Sequence, residues 1–333
     1  MIRTLLGFAA AFALATLPTN AQDKKDPPKK KERIAINEPE KLKDNADFAN
    51  QGEYVGEGPD KQKVGVQVVA KGDAHFDLKM LIGGLPGDGW DGKTIHKETA
   101  SLKEGKVVCS KGKAVIGDGK ITITDGDTKF VLKKVERASP TVGAKPPEGA
   151  AVLFGKEGDE KQWNGGNLVK LSDGTYLGVG VKTKQAFGAF KAHVEFRLPW
   201  MPNSTGQQRG NSGVYFQDRY ECQVLDSFGL SGENNECGGI YTQHKPKVNM
   251  CFPPMLWQTY DIEFTPAKFD ESGKKVKNAR ATVKHNGVTI HDDIEFPKEC
   301  PGGQKEEAKP GPFQFQNHGD PVVYRNVWVV ETK

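Results

Sequence analysis

The chain of 333 residues lacks the patterns that mark several common enzyme classes. Its glycine-dense stretch at 83–92 has neither the GxGxxG register nor a following helix, so it does not predict a phosphate-binding loop. No serine stands in a nucleophile-elbow motif, which argues against serine hydrolase chemistry. The five cysteines show no CxxC or paired Cys/His spacing, so no structural zinc site is expected.

Long apolar runs are also missing beyond the first 22 residues, so no membrane-spanning helix is expected there. The net charge is only +4, and much of it comes from a lysine-rich stretch between residues 24 and 33. The remaining sequence has no basic stripe with interleaved aromatic residues. We therefore expect no nucleic-acid partner.

The first 21 residues are typical of an export signal. Arg3 supplies the positive start, residues 5–17 the apolar run, and Thr19-Asn20-Ala21 a small-residue cleavage site. We expect an exported protein, periplasmic or extracellular, and an uncleaved anchor is the alternative. Residues 22–36 are rich in lysine and proline and are expected to form a disordered lead-in.

The cysteines suit the oxidising compartment that an export signal implies. Cys237 and Cys251 bracket a short loop and are the best candidates for a disulfide. Cys222 falls at an apolar strand position and is expected in the core.

The 39 glycines and 20 prolines, with few long helical periods, predict an all-β chain. Residues 37–137 are expected to form a small β-rich accessory domain, and 138–150 a linker because Pro, Gly and Ser are frequent there. Many short antiparallel strands over 151–333 predict a two-sheet sandwich of the jelly-roll type. Its clearest hairpin turn is Asn286-Gly287, typical of a type I′ turn.

Residues 209–228 carry the strongest functional pattern. Side chains alternate between the two faces of a strand, so Asn211, Tyr215, Glu221 and Gln223 are expected on one face, opposite an apolar set. The strand at 312–318 would add Gln314, Gln316 and His318 to the same face. Amides, a phenol and a carboxylate together are the groups that bind sugar hydroxyls. An ordinary solvated sheet face is the alternative interpretation.

Glu221 and His318 are the candidate catalytic residues. Partly apolar neighbours would raise the pKa of Glu221 toward a value useful for proton transfer, although a salt bridge with Arg209 or Arg219 is an alternative role. His318 lies near a strand end and can exchange protons near neutral pH, and a surface turn is its alternative place. The candidate substrate-binding residues are Arg209, Asn211, Tyr215, Gln223, Asp226, Tyr241, Gln316 and Glu195.

Six segments in this order resemble the 3-keto-disaccharide hydrolase domain family, which is common in secreted proteins of Planctomycetes and Bacteroidetes. They are Arg209-Gly-Asn-Ser-Gly-Val-Tyr-Phe-Gln, Tyr220-Glu-Cys-Gln-Val-Leu-Asp-Ser, Cys237-Gly-Gly-Ile-Tyr, Trp257-Gln-Thr-Tyr-Asp-Ile, Asn286-Gly-Val and Gly311-Pro-Phe-Gln-Phe-Gln-Asn-His-Gly. The resemblance covers about residues 150–333, and the N-terminal half resembles an extra domain of some planctomycete members. The chain departs from the family at Asn317, where an aspartate is usual.

The resemblance implies a concanavalin A-like lectin/glucanase sandwich whose concave sheet carries the site. It also implies cleavage of a glycoside that a separate oxidoreductase has first converted to a 3-keto sugar. Glu221 or His318 would remove the C2 proton, while Arg209, Asn211, Gln223 and Gln316 would hold hydroxyls or the developing enolate oxygen. A divalent metal could polarise the carbonyl, but the sequence does not identify its ligands.

Two other functions remain open from the sequence. A non-catalytic carbohydrate-binding module would use the same polar face, because fold does not fix function. A direct glucanase would need paired carboxylates on alternate strand positions. Gln223 stands where such an enzyme would place an acid, which counts against the glucanase.

Overall fold

The computed structural model describes residues 33–332, so the predicted export signal and most of the lead-in lie outside the described residues. Strands dominate, and the expected all-β class is confirmed. Within residues 33–332 there is one α-helix, α1 (Ala46–Asn50), and there are four 3₁₀ helices, Pro39–Leu42, Pro59–Lys61, Asp159–Gln162 and Gly206–Gln208. None of the described helices is long and apolar enough to cross a membrane.

The first eight strands form a closed antiparallel barrel in which each strand pairs with the next along the chain. They are β1 (Gly52–Glu57), β2 (Lys63–Gly72), β3 (His75–Ile82), β4 (Ile95–Lys103), β5 (Lys106–Cys109), β6 (Ala114–Gly117), β7 (Lys120–Asp125) and β8 (Thr128–Val135). Pairing of β1 with β8 closes the barrel and leaves it without an exposed edge.

The rest of the chain builds two facing sheets. The smaller sheet has the order β10 (Trp163–Asn164), β13 (Val181–Phe187), β22 (Gly311–Phe315), β15 (Ser212–Phe216) and β16 (Tyr220–Val224). The larger sheet has the order β11 (Leu168–Leu171), β12 (Gly174–Leu177), β23 (Val323–Glu331), β14 (Phe190–Arg197), β17 (Trp257–Thr265), β20 (Ala279–His285) and β21 (Val288–Phe296), and β9 (Ala151–Phe154) pairs with β23. A separate two-stranded sheet contains β18 (Lys268–Phe269) and β19 (Lys275–Lys277).

The space between the two sheets is filled by apolar side chains from alternate strand positions. The smaller sheet contributes fully buried side chains, among them Val214, Cys222 and Phe315. They belong to the same core as Phe190 and Phe264 of the larger sheet. Because successive side chains point to opposite faces, the neighbours of these core residues must lie on the outer face of the smaller sheet.

The barrel and the sandwich share a hydrophobic contact through Trp200. This residue follows β14, is 1% exposed and belongs to the barrel's core rather than to that of the sandwich. Its ring meets Phe48 edge-on with centroids 5.2 Å apart, and its backbone pairs with Ile36. The sandwich part of the chain therefore contributes a large side chain to the barrel core.

Residues 138–147, within the segment expected to be a linker, run along the outer face of the larger sheet, and we call them the strap. The Ser139 hydroxyl lies 2.6 Å from that of Thr259, and the Thr141 hydroxyl donates to Asp261 over 2.7 Å. The backbone N–H of Gly143 donates to Glu195 over 2.5 Å. These contacts bury polar groups that would otherwise face water.

Candidate active site

Strand register aligns polar side chains across the smaller sheet. Lys182 of β13 pairs with Gln314 of β22, Gln314 pairs with Tyr215 of β15, and Tyr215 pairs with Glu221 of β16. Residues directly opposite one another in an antiparallel sheet project from the same face. Four strands thus place an ammonium, an amide, a phenol and a carboxylate in one row.

Glu221 is at the centre of a hydrogen-bonded cluster. The Tyr215 hydroxyl donates to Glu221 Oε2 over 2.9 Å, and the amide of Gln316 donates to the same hydroxyl over 3.4 Å. The Gln223 amide faces Glu221 Oε1 at 3.1 Å and the Ser212 carbonyl at 2.7 Å. Both of these neighbours are acceptors, so the amide nitrogen must point toward them.

The Glu221 carboxylate lies across the backbone of Gly213. A methyl group built on Gly213 would stand only 2.1 Å from Glu221 Oε1. Any larger residue at 213 would displace the carboxylate, so glycine at this position makes room for it.

Burial raises the pKa of Glu221 to about 7, and the hydrogen bond from Tyr215 opposes this rise. The side chain is 2% exposed, and few donors compensate for the loss of water around the charged form. Glu221 therefore exchanges its proton near neutral pH, as a general base or acid requires.

A cavity of about 490 Å³ lies against the same sheet, beside the cluster. Polar side chains at its border are Asn164, Lys182, Gln314, Gln316 and Asn317. Gln316 links the cavity to Glu221, because it borders the cavity and also contacts Tyr215. Tyr215 also approaches the Pro301 carbonyl at 3.1 Å, so the loop around Pro301 covers the cluster from outside.

Several residues predicted from sequence fall within this arrangement. A chain of contacts runs from Gln316 to Tyr215, from Tyr215 to Glu221 and from Glu221 to Gln223. Asn211 joins indirectly, since its amide donates to the Gln207 backbone carbonyl over 2.8 Å and the Gln207 side chain lies 2.9 Å from the Gln223 amide.

Arg209 and Asp226 lie apart from the cluster, at the open end of the β15–β16 hairpin. They form a buried salt bridge of 2.6 Å with each other and border a different cavity. Tyr241 adjoins Glu221 through its backbone N–H, which donates to the Glu221 carbonyl, while its ring packs against the sandwich core. His318 is exposed beyond β22, near Asp320.

The structure does not bring Glu195, one of the predicted substrate-binding residues, to this cluster. Glu195 lies in β14 of the other sheet, on its outer face beneath the strap, and is 0% exposed. It accepts hydrogen bonds from Arg325 over 2.7 Å and from Asn326 over 2.8 Å. Alternation correctly separates it from the core residues of β14, but it cannot tell which sheet the strand joins.

The predicted disulfide is not formed in this structure, but its two cysteines are neighbours whose thiols lie within hydrogen-bonding reach of each other. Cys237 and Cys251 are free, buried thiols. The Cys237 sulfur lies 3.2 Å from the Tyr260 hydroxyl, and the Cys251 thiol donates to the carbonyls of Leu225 and Phe252 over 3.5 Å each. The pairing of Cys237 with Cys251 therefore stays a prediction.

Three contributors to the site were not predicted: Gln207, Lys182 and the loop at Pro301. Lys182 lies between Val181 and Thr183, which are both buried. Strand alternation could therefore have predicted that the Lys182 side chain points outward. Its position beside Gln314 could not be predicted, because β13 and β22 are far apart in sequence. Among residues 33–332, no group of three or more His, Cys, Asp or Glu side chains is arranged to hold a metal ion.

Comparisons with known proteins identify the family of the chain. The 3-keto-alpha-glucoside-1,2-lyase-like domain family matches residues 149–330. A crystal structure from Parabacteroides distasonis, described as a "putative glycosyl hydrolase", is 32% identical, with a TM-score of 0.50, and the match covers 56% of this chain and 85% of that one.

A second structure from Parabacteroides distasonis, with the same description, is 17% identical with a TM-score of 0.39 over 56% of this chain and 95% of that one, and is too distant to support an argument. No curated protein matches the chain. The family match covers more than half of the sequence and agrees with the motifs quoted above. The chain therefore belongs to the family of 3-keto-alpha-glucoside-1,2-lyase-like domains.

Proposed function

We propose that the protein cleaves the glycosidic bond of 3-keto-disaccharides or related 3-keto-glycosides, with Glu221 as the base. Family membership supports a carbohydrate-active hydrolase or lyase. The observation that carries the proposal is the buried Glu221 carboxylate. Its pKa is raised to about 7, and it lies near a cavity bordered by amides.

The chemistry follows from the C3 carbonyl of the substrate. This carbonyl acidifies the C2 proton, which the Glu221 carboxylate removes, and the electron pair moves to form an enolate. Elimination then breaks the bond between C1 and the glycosidic oxygen, which leaves as an alcohol after taking a proton. Water adds to the resulting C1=C2 double bond, so the overall products are the free 3-keto sugar and the alcohol.

The row of polar side chains suits the binding of such a substrate. Gln314 and Gln316 offer amide groups to sugar hydroxyls, and Lys182 is a cation that can stabilise negative charge on the enolate oxygen. Lys182 is held 2.7 Å from Asp218, which fixes its position at the border of the cavity. Access to Glu221 requires the Pro301 loop to move away from Tyr215.

The site does not favour a direct glucanase. That reaction needs two carboxylates about 5–10 Å apart across the scissile bond. Within the described row of Lys182, Gln314, Tyr215 and Glu221, only the last is a carboxylate, and the adjacent strand position is Gln223. The substrate is expected to come from an oxidoreductase that oxidises a sugar hydroxyl at C3, in the compartment to which the protein is exported.

The test compares the native protein with Glu221→Gln on a 3-keto-disaccharide. Loss of the base is expected to lower kcat by about 100-fold or more, and exchange of the C2 proton with deuterated solvent should fall in parallel. Glu263→Gln is the matched control, because Glu263 is an exposed residue of the larger sheet. Full cleavage by Glu221→Gln would remove Glu221 from the mechanism, and turnover of the unoxidised disaccharide would contradict the 3-keto requirement.

A further inference from the structure

A second cavity, of about 580 Å³, lies between the barrel and the sandwich. It is bordered by β3 and β4 of the barrel and by residues 204–206, 209, 226 and 228–230 of the sandwich. Its volume falls within the range of about 300–1,000 Å³ that is usual for ligand pockets. Its border includes neither Tyr215, Glu221 nor Gln316, so it is distinct from the candidate active site.

Positive charge predominates at this cavity, where five cationic and three acidic side chains line the wall. Lys79 of β3 stands directly opposite Lys97 of β4, an arrangement in which like charges repel. The three acidic residues already have partners: Asp77 with Lys71 at 3.5 Å, Glu98 with Lys111 at 2.6 Å, and Asp226 with Arg209 at 2.6 Å. No carboxylate of the described chain forms a salt bridge with Lys79 or Lys97.

Two of the cations are more than nine-tenths buried and retain unused donors. Lys79 is 7% exposed, and its ammonium, which has three N–H groups, donates to the Leu230 carbonyl over 3.1 Å. Arg209 is 4% exposed, and its Nη2 has no hydrogen-bond partner among the described residues. The Ser204 hydroxyl at the same cavity is likewise unpaired within residues 33–332.

Unpaired buried donors are costly, and an anion in the cavity would satisfy them. Burial and the repulsion from Lys97 lower the pKa of Lys79 and outweigh the opposing attraction of Glu236, so the surrounding chain compensates its charge only in part. Hydroxyls of Thr99, Ser110 and Thr205 also border the cavity and can bond to sugar hydroxyls.

We propose that this cavity is a second binding site, for an acidic saccharide whose carboxylate or sulfate group contacts Arg209 and Lys79. The saccharide part of the proposal rests on membership of a carbohydrate-active family, and it does not depend on elimination chemistry at Glu221. The two sites are separated by a single 3₁₀ turn, in which Gly206 borders the cavity and Gln207 contacts Gln223.

The proposal can be tested by calorimetry on the full chain at low salt with four probes: digalacturonate, a sulfated disaccharide, maltose and inorganic sulfate. We expect at least one of the two acidic sugars to bind about tenfold or more tightly than either maltose or inorganic sulfate. Which acidic sugar binds then distinguishes a carboxylate from a sulfate ligand. Binding is measured without turnover, so its failure is separable from a failed cleavage assay.

Lys97→Gln is the principal variant, because Lys97 is exposed and its replacement leaves the barrel core intact. It should weaken binding of the acidic sugar about tenfold, and added salt should weaken it further. Lys103→Gln, an exposed lysine of the same strand away from the cavity, should bind as the native protein does. Equal binding of maltose, equal binding of inorganic sulfate, or an unchanged affinity in Lys97→Gln would each overturn the proposal.

Discussion

At the scale of single residues, Glu221 combines two properties that oppose each other. Its burial makes it a base that works near neutral pH, and the same burial destabilises the folded protein when the carboxyl ionises. The folded-state pKa of about 7 exceeds the ordinary value of 4.5, so the folded protein holds this proton more tightly. The resulting stability is fully present below about pH 4.5 and is lost as the pH rises through 7.

The substitution Tyr215→Phe tests the hydrogen bond from Tyr215 to Glu221. The Tyr215 hydroxyl stabilises the ionised form of Glu221, so its removal should raise the pKa of Glu221 further. The rate should increase with pH because the base must be ionised, and the acidic limb, expected near pH 7 in the native protein, should move to higher pH. The measurement is the pH profile of kcat/KM on a 3-keto-disaccharide.

Tyr176→Phe provides the control for this shift. The Tyr176 hydroxyl donates to the Asp173 carbonyl, at the other sheet, and its removal should leave the acidic limb in place. An unchanged limb in Tyr215→Phe would show that the hydrogen bond does not control the ionisation of the base.

At the scale of elements, the strap and the larger sheet enclose a charged network. Burial raises the pKa of Glu195, but hydrogen bonds from His193, Asn326, Gly143 and Arg325 outweigh it and lower the pKa to about 2. The contribution of Glu195 to stability is therefore present above its ordinary value of 4.5 and is lost as the pH falls toward 2.

Glu195→Gln should lower the free energy of unfolding by about 3 kcal/mol at pH 7, and the deficit should shrink as the pH approaches 2. Its KM for the 3-keto-disaccharide should match that of the native protein, because Glu195 lies at the other sheet. Urea unfolding at several pH values, with steady-state kinetics, checks both statements. A raised KM with normal stability would instead support the predicted role of Glu195 in substrate binding.

The β20–β21 hairpin illustrates a turn that also serves the core. Asn286 and Gly287 both have positive φ, of 50° and 80°, as a type I′ turn requires. The Asn286 side chain also accepts from the Thr259 N–H over 3.0 Å and donates to the Met250 carbonyl over 2.8 Å. A single residue thus fixes the turn and two neighbouring segments.

Asn286→Ala is expected to destabilise the protein by about 2–4 kcal/mol, because it leaves buried groups unpaired and strains the left-handed backbone. Asn278→Ala, which removes only an exposed hydrogen bond to Glu295, should change stability by less than about 1 kcal/mol. Thermal or urea unfolding of both variants gives the comparison. Equal stabilities of the two variants would show that the Asn286 side chain does not help to hold the hairpin.

How far the sequence predicted the structure also depends on the element concerned. Alternation predicted that Tyr215, Glu221 and Gln223 share a face, and Asn286-Gly287 predicted the hairpin, because both patterns are local. Closure of the barrel depends on pairing β1 with β8, which are about 80 residues apart, and no local pattern encodes it. For the same reason, no local pattern showed that the strand of Glu195 joins the larger sheet.

At the scale of the whole molecule, Trp200 connects the two cores. Its indole is buried in the barrel although its strand neighbours belong to the sandwich. Residues 33–332 accordingly belong to one compact unit. Unfolding of either part should expose surface that the other part covers.

Trp200→Ala is expected to cost about 3–5 kcal/mol and to separate the unfolding of the barrel from that of the sandwich. Calorimetry should show one transition for the native protein and two for the variant. Trp90→Ala provides a control, since the Trp90 indole N–H donates to the Thr94 carbonyl in an exposed loop. A single transition in Trp200→Ala would show that other contacts couple the two parts.

The strap begins eleven residues before the family match does, which matters for anyone who excises the domain. A recombinant fragment cut at residue 149 would retain every motif by which homologues are aligned. It would nonetheless uncover the flank that holds His193 and Trp328, whose indole N–H donates to the Ala144 carbonyl. The limits of homology therefore differ from the limits of the contacts that cover the larger sheet, and a fragment that keeps these contacts starts upstream of the strap.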